Sequence, residues 1–261
     1  MVSNDTSHSG LRKAKYGSRS VLLARELNED YRERNYWDKR FESEESYDWF
    51  ADFKAFRHLL REDLQENHQI LMLGCGNSLL SEHLYKEGFK HITNIDYSHV
   101  VIEKMQKKYV NLPEMTWKVM DILDMSFDPV TFDIVLEKGT LDALLVNEKD
   151  PWQLSGEGEQ MIDTVLKQIS AVLKPGGKFL SITFSQPHFR KPLYTRERYN
   201  WSVQTKTFGE MFHFFYFSMT KGEPLTDEEK KEERKRETKL KSNNTPTVYL
   251  KRDDSEDFLC G

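Results

Sequence analysis

Residues 70–78 constrain this chain more than any other segment, because an apolar run, Ile-Leu-Met-Leu, breaks there at once into the turn Gly-Cys-Gly-Asn-Ser. The pattern predicts a buried parallel strand at residues 70–73, followed by two glycines, Gly74 and Gly76, that let a ligand approach the backbone. A helix predicted at residues 78–86 would present its free N–H groups to that ligand. The segment therefore indicates a site for a nucleotide-type cofactor.

A second predicted strand, at residues 91–96, ends in an acid, Asp96. A carboxylate in that place can accept hydrogen bonds from both hydroxyls of a ribose. Dinucleotides and S-adenosylmethionine share this layout. A dinucleotide fingerprint has a third glycine where the helix begins, however, and here that position is Leu79. The details of the turn therefore favour S-adenosylmethionine.

The composition bounds the kind of protein that carries this site. The chain has 261 residues, enough for one large domain or one domain with tails, and 38% of them are hydrophobic, which suffices for a sizeable core. A net charge of −5 argues against a general attraction to nucleic acid, and no apolar run reaches the roughly 20 residues of a membrane helix. The two cysteines, Cys75 and Cys260, form neither a disulfide framework nor a C-x-x-C metal motif. We therefore expect a soluble protein of a reducing compartment that binds no metal, nucleic acid or membrane.

The charge pattern divides the chain into a basic, disordered N-terminal tail at residues 1–30, a folded domain at residues 31–222 and a charged C-terminal extension at residues 223–261. Residues 12–25 contain five basic residues and no acid, which is the composition of a mitochondrial transit peptide, but Asp5 and the poorly apolar first ten residues weaken that interpretation. A disordered tail is favoured, and it predicts a cytoplasmic protein. A presequence and a mitochondrial matrix location are the alternative.

Hydrophobic periodicity predicts that strands and helices alternate along the folded domain. Further helices are predicted at residues 28–41, 49–64, 100–109 and 158–173, and further strands at residues 115–120, 132–136 and 178–184. Lys174-Pro175-Gly176-Gly177 predicts a stop between the last helix and the last of these strands. Residues 200–208 and 212–219 predict a final antiparallel hairpin. The fold class is therefore α/β, with a mostly parallel sheet that an antiparallel strand completes.

The chain changes character after this hairpin. Residues 227–241 carry six acids and seven bases, and Leu240 is their only large apolar residue. Mixed charges of this kind predict a solvated helix or a disordered tail. Residues 247–250 and 253–259 would add an edge strand to the sheet or stay unpaired.

Several motifs carry a family resemblance. They are Leu-Gly-Cys-Gly-Asn-Ser at residues 73–78, Leu-Glu-Lys-Gly-Thr-Leu-Asp-Ala at residues 136–143, Tyr36-Trp37-Asp38, Tyr47-Asp48-Trp49-Phe50, Asp150-Pro151-Trp152 and Pro187-His188-Phe189-Arg190. In this order they resemble the seven-strand (class I) S-adenosylmethionine-dependent methyltransferases, and among them the protein-lysine methyltransferases. The resemblance spans about residues 31–222. It implies a Rossmann-like seven-strand sheet with helices on both faces.

The resemblance also implies a cofactor, a substrate and an oligomeric state. The cofactor is S-adenosylmethionine, and the substrate is a lysine of translation elongation factor 1-alpha, which a monomer methylates. The alternative substrate is a lysine of mitochondrial citrate synthase, because the methyltransferases of that enzyme share the Lys-Gly-Thr-x-Asp-Ala block. A methyltransferase for small molecules and a catalytically silent binding module stay open as further alternatives. The absence of an Asn-Pro-Pro-Tyr motif after the fourth strand argues against methylation of adenine or of a glutamine amide.

One position departs from the wider superfamily. An acid two residues before the first glycine usually binds the methionine end of the cofactor, and here that residue is Met72. The resemblance assigns the methionine end instead to three aromatic residues and one lysine, namely Trp37, Phe41, Trp49 and Lys138. Because ligands lie beyond the carboxyl ends of parallel strands, the other cofactor contacts are expected from Gly74, Gly76, Asp96, Tyr97, Asp121 and Ile122.

Methyl transfer to a lysine requires the amine to be neutral when it attacks, whereas a free lysine has a pKa near ~10.4. Glu137 and Asp142 are the candidates to orient the amine or to receive its proton, although many methyltransferases use no dedicated base. His188 and Arg190 follow the fifth strand. They are expected either to shape a substrate channel or to belong to an ordinary surface loop.

Overall fold

The computed structural model describes residues 30–150 and 152–243. In chain order the strands are Ile70–Leu73 (β1), Ile92–Asp96 (β2), Met115–Val119 (β3), Phe132–Lys138 (β4), Leu173–Thr183 (β5), Gln204–Phe208 (β6) and Phe214–Thr220 (β7). The helices are Arg34–Ser43 (α1), Phe53–Asp63 (α2), Leu80–Lys86 (α3), His99–Lys108 (α4), Thr140–Leu144 (α5), Gly156–Val172 (α6), Pro187–Tyr194 (α7) and Asp227–Asn243 (α8). Two 3-10 turns lie at Asp30–Arg32 and Glu197–Tyr199.

All seven strands form one sheet in the order β3-β2-β1-β4-β5-β7-β6. The first five strands pair in parallel, and β7 runs antiparallel to both β5 and β6. The strand order reverses between β1 and β4, so the turn after β1 lies where open sheets of this kind bind ligands. The predicted fold class is confirmed, including the antiparallel strand that ends it.

Helices cover both faces of the sheet, and β1 is therefore buried on both faces. Ile70 and Met72 pack into a cluster with α2, α3 and α4, whereas Leu71 and Leu73 pack into a second cluster with α6. This burial explains why β1 reads in the sequence as a continuous apolar run instead of an alternating one. Packing in these two clusters fixes the position of β1 and therefore of the turn that begins at Gly74.

The segment at Lys174-Pro175-Gly176-Gly177 differs from its prediction as a stop. β5 starts at Leu173 and runs through it, with a register shift against β4. Gly176, at φ +77°, makes the bend, and its N–H donates to the Lys221 carbonyl at 2.9 Å. Pairing with the end of β7 thus keeps an irregular segment in the sheet.

Two helices that line the site, α5 and α7, were not predicted. Pro187 stands in the first turn of α7, where its missing N–H costs nothing, but a second proline, Pro192, lies inside the helix. In the sequence, these two prolines indicate a break in regular secondary structure. Tertiary packing overrides them, because Arg190 and Tyr194 of this helix are buried.

Helix α8 lies in the segment predicted as solvated or disordered, and it packs on the domain. Glu233 is buried and accepts a hydrogen bond from the Glu197 N–H at 2.9 Å, while Arg236 donates to the Thr195 carbonyl at 3.2 Å. The predictions for residues 1–29 and 244–261 lie outside the described residues. Among the helices described, none is both long enough and apolar enough to cross a membrane.

Candidate active site

A cavity of about 1050 Å³ opens at the carboxyl ends of β1, β2 and β4. Every residue predicted to bind the cofactor lines it: Trp37, Phe41, Trp49, Gly74, Gly76, Asp96, Tyr97, Asp121, Ile122 and Lys138. Asp142, His188 and Arg190 also line the cavity. The structure therefore brings together residues that are far apart in the chain, at the edge of the sheet where the strand order reverses.

The glycine turn forms the floor of this cavity. Gly74 and Gly76 have φ angles of +54° and +50°, in the left-handed region that favours glycine. A Cβ atom on Gly74 would lie 2.5 Å from the side chain of Thr140, whose hydroxyl donates to the Leu73 carbonyl at 2.9 Å. The turn thus has no room for a side chain at Gly74, and its backbone stays close to the cavity.

Asp96 ends β2 beside this turn. Its carboxylate accepts hydrogen bonds from the backbone N–H of Gly76 at 2.9 Å and from that of Ser98 at 3.0 Å, so its orientation is fixed. Burial raises the pKa of Asp96 to about 6, and the two backbone hydrogen bonds oppose that rise. Each oxygen uses one lone pair on these donors and keeps another for a hydroxyl.

An aromatic wall closes the cavity above the turn. The rings of Trp37 and Phe41 stack with centroids 5.6 Å apart, and Trp49 meets Trp37 edge-on at 6.2 Å. The Trp37 indole N–H donates to the Tyr31 carbonyl at 2.7 Å, and the Arg40 guanidinium lies over the Trp37 and Trp49 rings. These contacts hold α1 and residue 49 against the cofactor end of the cavity.

Lys138 ends β4 inside the cavity. Its ammonium donates to the Trp49 carbonyl at 3.1 Å and lies 3.3 Å from the Asp48 carboxylate. Burial lowers the pKa of Lys138, while the charge of Asp48 acts in the opposite direction. Lys138 therefore fixes the segment around Trp49, and both residues line the cavity.

The two predicted acids lie in different surroundings. Asp142 lines the cavity, and one of its oxygens accepts hydrogen bonds from Thr183 at 2.7 Å and from buried Arg190. Its second oxygen is buried and has no hydrogen-bond partner among the residues that the structure describes. A buried carboxylate oxygen with no partner is costly, and two nitrogens of Arg190, Nε and Nη1, are buried without a described partner as well.

Glu137 is placed differently from its prediction as an acid in contact with the amine. It is fully buried, accepts from Ser181 and from the Leu141 N–H, and is not among the described residues that line the cavity. Successive residues of β4 point to opposite faces, so Glu137 faces Ser181, which is also bonded to Tyr194, while Lys138 faces Trp49. Burial, and secondarily the charge of Asp142, raises the pKa of Glu137.

The mouth of the cavity contains His188, which the sequence offered for a substrate channel, together with Trp152 and Phe189, for which the sequence indicated no role. Trp152, 74% exposed, stacks on His188 with centroids 5.1 Å apart and meets Phe189 at 4.6 Å. Arg190, which could equally have belonged to a surface loop, is buried against Asp142. Its sequence context carries no sign of burial, since a lone arginine after a strand is normally solvated.

Comparison with known proteins identifies the family of this chain. The sequence pattern of a methyltransferase domain matches residues 71–181. The chain is 45% identical over 204 residues to EEF1A lysine methyltransferase 4 of Mus musculus, which covers 77% of this chain and 80% of the relative. The chain belongs to this family of protein-lysine methyltransferases. The Bos taurus protein of the same name is 42% identical over 237 residues, covering 90% of this methyltransferase and 92% of its relative.

More distant proteins agree with this membership. The eEF1A lysine and N-terminal methyltransferase of Homo sapiens is 34% identical over 174 residues, which are 65% of this chain and 24% of that protein. Among solved structures, the N-methyltransferase NodS of Bradyrhizobium japonicum, in complex with S-adenosyl-L-homocysteine, has a TM-score of 0.53 at 20% identity. That match covers 72% of this methyltransferase and 99% of NodS, and it supports the fold.

The cofactor of this methyltransferase is S-adenosylmethionine, and the residues present fit it. The backbone of Gly74 and Gly76 lines the cavity in a left-handed conformation, the Asp96 carboxylate is oriented at the end of β2 by the Gly76 N–H, and Asp121 is fixed by the Leu123 N–H at 2.9 Å. When bound, the cofactor supplies a methyl group on a sulfonium centre. The chain's own residues must orient the cofactor, admit a lysine side chain and keep its amine unprotonated.

Proposed function

We propose that this methyltransferase modifies a lysine of translation elongation factor 1-alpha in the cytoplasm. The observation that carries the proposal is the identity of 42–45% to two relatives whose name includes that substrate, across most of both chains. The cavity geometry is consistent with a side chain as acceptor, because it continues from the glycine turn past Asp142 to an aromatic mouth.

We assign the cofactor end to Gly74, Gly76, Asp96, Tyr97, Asp121 and Ile122, with Trp37, Phe41, Trp49 and Lys138 around its methionine end. Hydrogen bonds to the carboxylate of Asp96 are charge-assisted and therefore carry much of the cofactor affinity. The aromatic wall excludes water from the reacting atoms, which strengthens the electrostatic interactions inside the cavity.

We assign the acceptor end to Asp142. A lysine amine that donates to its second oxygen would be held in one orientation, and alignment of the amine with the methyl group is the main requirement of an in-line displacement. Arg190 and Thr183 keep Asp142 in place through its first oxygen. Glu137 acts as a positioning residue, because it accepts from the N–H of Leu141, which precedes Asp142 in α5, while Ser181 of β5 donates to its other oxygen.

The proposal is tested by incubating the protein with radiolabelled S-adenosylmethionine and separate cytosolic and mitochondrial extracts from cells that lack the endogenous enzyme. Labelled proteins are resolved by size, and the modified residue is identified by mass spectrometry. A single cytosolic band that is elongation factor 1-alpha, labelled on a lysine, supports the proposal.

The controls separate the alternatives. A deproteinised extract is included, since label there would indicate a small-molecule acceptor. A mitochondrial band at the size of citrate synthase would replace the proposed substrate and the cytoplasmic location together. Label that is absent from every fraction would contradict the proposed activity.

A further inference from the structure

A row of apolar side chains leads away from the cavity across the surface of the sheet edge. Its members are Phe184, Phe50, Phe214, Phe212 and Met211, and together they are named the aromatic strip here. The ring centroids of Phe50 lie 5.6 Å from those of Phe184 and 5.7 Å from those of Phe214, and Phe212 lies 6.5 Å from Phe214. These spacings are those of contacting aromatic rings, so the four phenylalanines form a continuous row, and Met211 precedes Phe212 in the chain.

The two ends of the aromatic strip differ in their surroundings. Phe50 and Phe184 line the cavity, whereas Phe212 and Met211 stand on the turn between β6 and β7. Met211 is 97% exposed, Phe212 77% and Phe184 58%. Single exposed apolar residues are common, but a connected row that starts at a reaction site marks an interaction surface.

The backbone holds the aromatic strip in place. Gly209 has φ +96°, and a Cβ atom there would lie 2.1 Å from the Phe212 carbonyl oxygen, so the turn that displays Met211 is tight. Phe50 has φ +73°, which is unfavourable for a residue with a large side chain, and its ring packs against Gly139. A strained conformation that is retained next to a cavity is a recognised feature of binding sites.

The length of a lysine side chain limits how far from the cavity mouth a protein substrate can lie. A lysine side chain extends only about 6 Å from its Cα atom, so the backbone of a protein substrate must reach the cavity mouth. A folded substrate larger than the mouth then covers the surface around it. The strip continues from that mouth, and burial of its exposed side chains against an apolar patch would be favourable.

We propose that the aromatic strip is the docking surface for the folded protein substrate, which contributes an apolar patch next to its target lysine. This inference rests on the proposed function in that the acceptor is a lysine of a protein. It identifies residues outside the reacting cavity, Met211 and Phe212, as determinants of substrate recognition. The methyl-transfer step itself does not depend on them.

The test uses the variant Met211→Ser/Phe212→Ser in the full chain, with Val110→Ser as a matched control. Val110 is 72% exposed and does not line the cavity. The Kd for S-adenosylmethionine is measured by calorimetry, and KM and kcat are measured with folded elongation factor 1-alpha. Since both side chains are exposed, the double variant should fold, and circular dichroism checks this.

The expected result is a KM raised about tenfold in the double variant, with kcat within about twofold and cofactor Kd unchanged. The control should match the wild type in all three quantities. An unchanged KM would overturn the proposal, and so would a dimer of the wild type that the double variant loses without a change in KM.

The docking surface and the proposed substrate can fail separately. If the wild type labels a protein other than elongation factor 1-alpha, the proposed substrate is wrong, and the same comparison on the labelled protein tests the aromatic strip. If the wild type labels no protein, both proposals are wrong.

Discussion

The two ends of the cavity are built in different ways. The cofactor end consists of strand ends and the turn that follows β1, and its polar contacts come largely from backbone groups and from carboxylates that backbone N–H groups orient, as at Asp96. The acceptor end consists of side chains from separate elements, with Asp142 of α5 held by Thr183 of β5 and Arg190 of α7.

This difference separates what is general from what is particular in the molecule. A strand, a glycine turn and an acid at the next strand end suit any ligand with a ribose. The buried Asp142–Arg190 pair and the exposed aromatic strip have no such general use, so we expect the choice of acceptor to depend on them. The two ends should therefore respond independently to mutation.

The largest effect is expected at the cofactor end. Asp96→Ala removes a buried carboxylate that would accept from the ribose hydroxyls, so the Kd for S-adenosylmethionine should rise about 10²- to 10³-fold. Calorimetry measures it directly. Asp121→Ala, after the neighbouring strand, should raise Kd only about tenfold, because the lost carboxylate would accept only one hydrogen bond, from a neutral donor of the cofactor. Equal Kd values for wild type and Asp96→Ala would refute the placement of the cofactor.

The next largest effect is expected at the acceptor end, on kcat instead of on cofactor affinity. Asp142→Asn should lower kcat about 10²-fold with little change in cofactor Kd, because the amine loses the carboxylate that orients it and receives its proton. Glu137→Gln should keep most of the activity, since burial favours the protonated form of Glu137, which glutamine resembles in shape. Steady-state kinetics distinguish the two. A larger decrease of kcat in Glu137→Gln than in Asp142→Asn would contradict the roles assigned to these two acids.

A third prediction concerns the floor of the cavity. Gly74→Ala should lower the free energy of unfolding by about 3 kcal/mol, because a left-handed φ is combined with overlap against Thr140. Gly176→Ala is the matched control, since Gly176 has φ +77° with nothing within 4 Å of its added Cβ, and it should cost about 1 kcal/mol. Urea denaturation compares them, and equal costs would show that the Thr140 contact is unimportant.

The last prediction concerns pH, which has its smallest effect on cofactor affinity near neutrality. Because the pKa of Asp96 is raised to about 6, its carboxylate is ionised above that pH and protonated below it. Cofactor affinity should thus be constant above pH 6 and fall by up to tenfold per pH unit beneath it, until about pH 4. Calorimetric titrations at several pH values measure this, and Asp96→Asn should lack the dependence.

The stability of the cofactor-free protein should respond to pH with the opposite sign. A carboxyl whose pKa rises on folding contributes stability that is present below its unfolded pKa of 3.8 and lost as pH increases through about 6. Thermal unfolding of wild type against Asp96→Asn isolates this contribution. A wild type that gains stability relative to the variant between pH 4 and 6 would contradict it.

The cofactor end could be predicted largely from the sequence. Strand β1, the turn and Asp96 lie close together in the chain, and the hydrogen bonds that hold them are local, so pattern and spacing suffice. The seven-strand sheet follows from repetition of the same unit. Lys138 and the aromatic residues of α1 are far from the turn in sequence, and the family resemblance, instead of local spacing, brought them to the site.

The acceptor end could not be predicted to the same extent, because its geometry depends on long-range packing. Burial of Arg190 requires Asp142 and α7, and α7 contains prolines that indicate a break. The side on which Glu137 points depends on the exact register of β4 against β5. Phe50 has a left-handed φ that no property of phenylalanine suggests.

The central claim is that one cavity has two separate ends. The cofactor end binds S-adenosylmethionine, and the acceptor end orients the lysine that receives the methyl group. The most direct test incubates purified elongation factor 1-alpha with S-adenosylmethionine and either wild type or Asp142→Asn, and locates methylated residues by mass spectrometry while calorimetry gives the cofactor Kd. We predict a methylated lysine with the wild type and almost none with the variant, at an unchanged Kd. Equal methylation by both proteins, or a variant that fails to bind the cofactor, would contradict the claim.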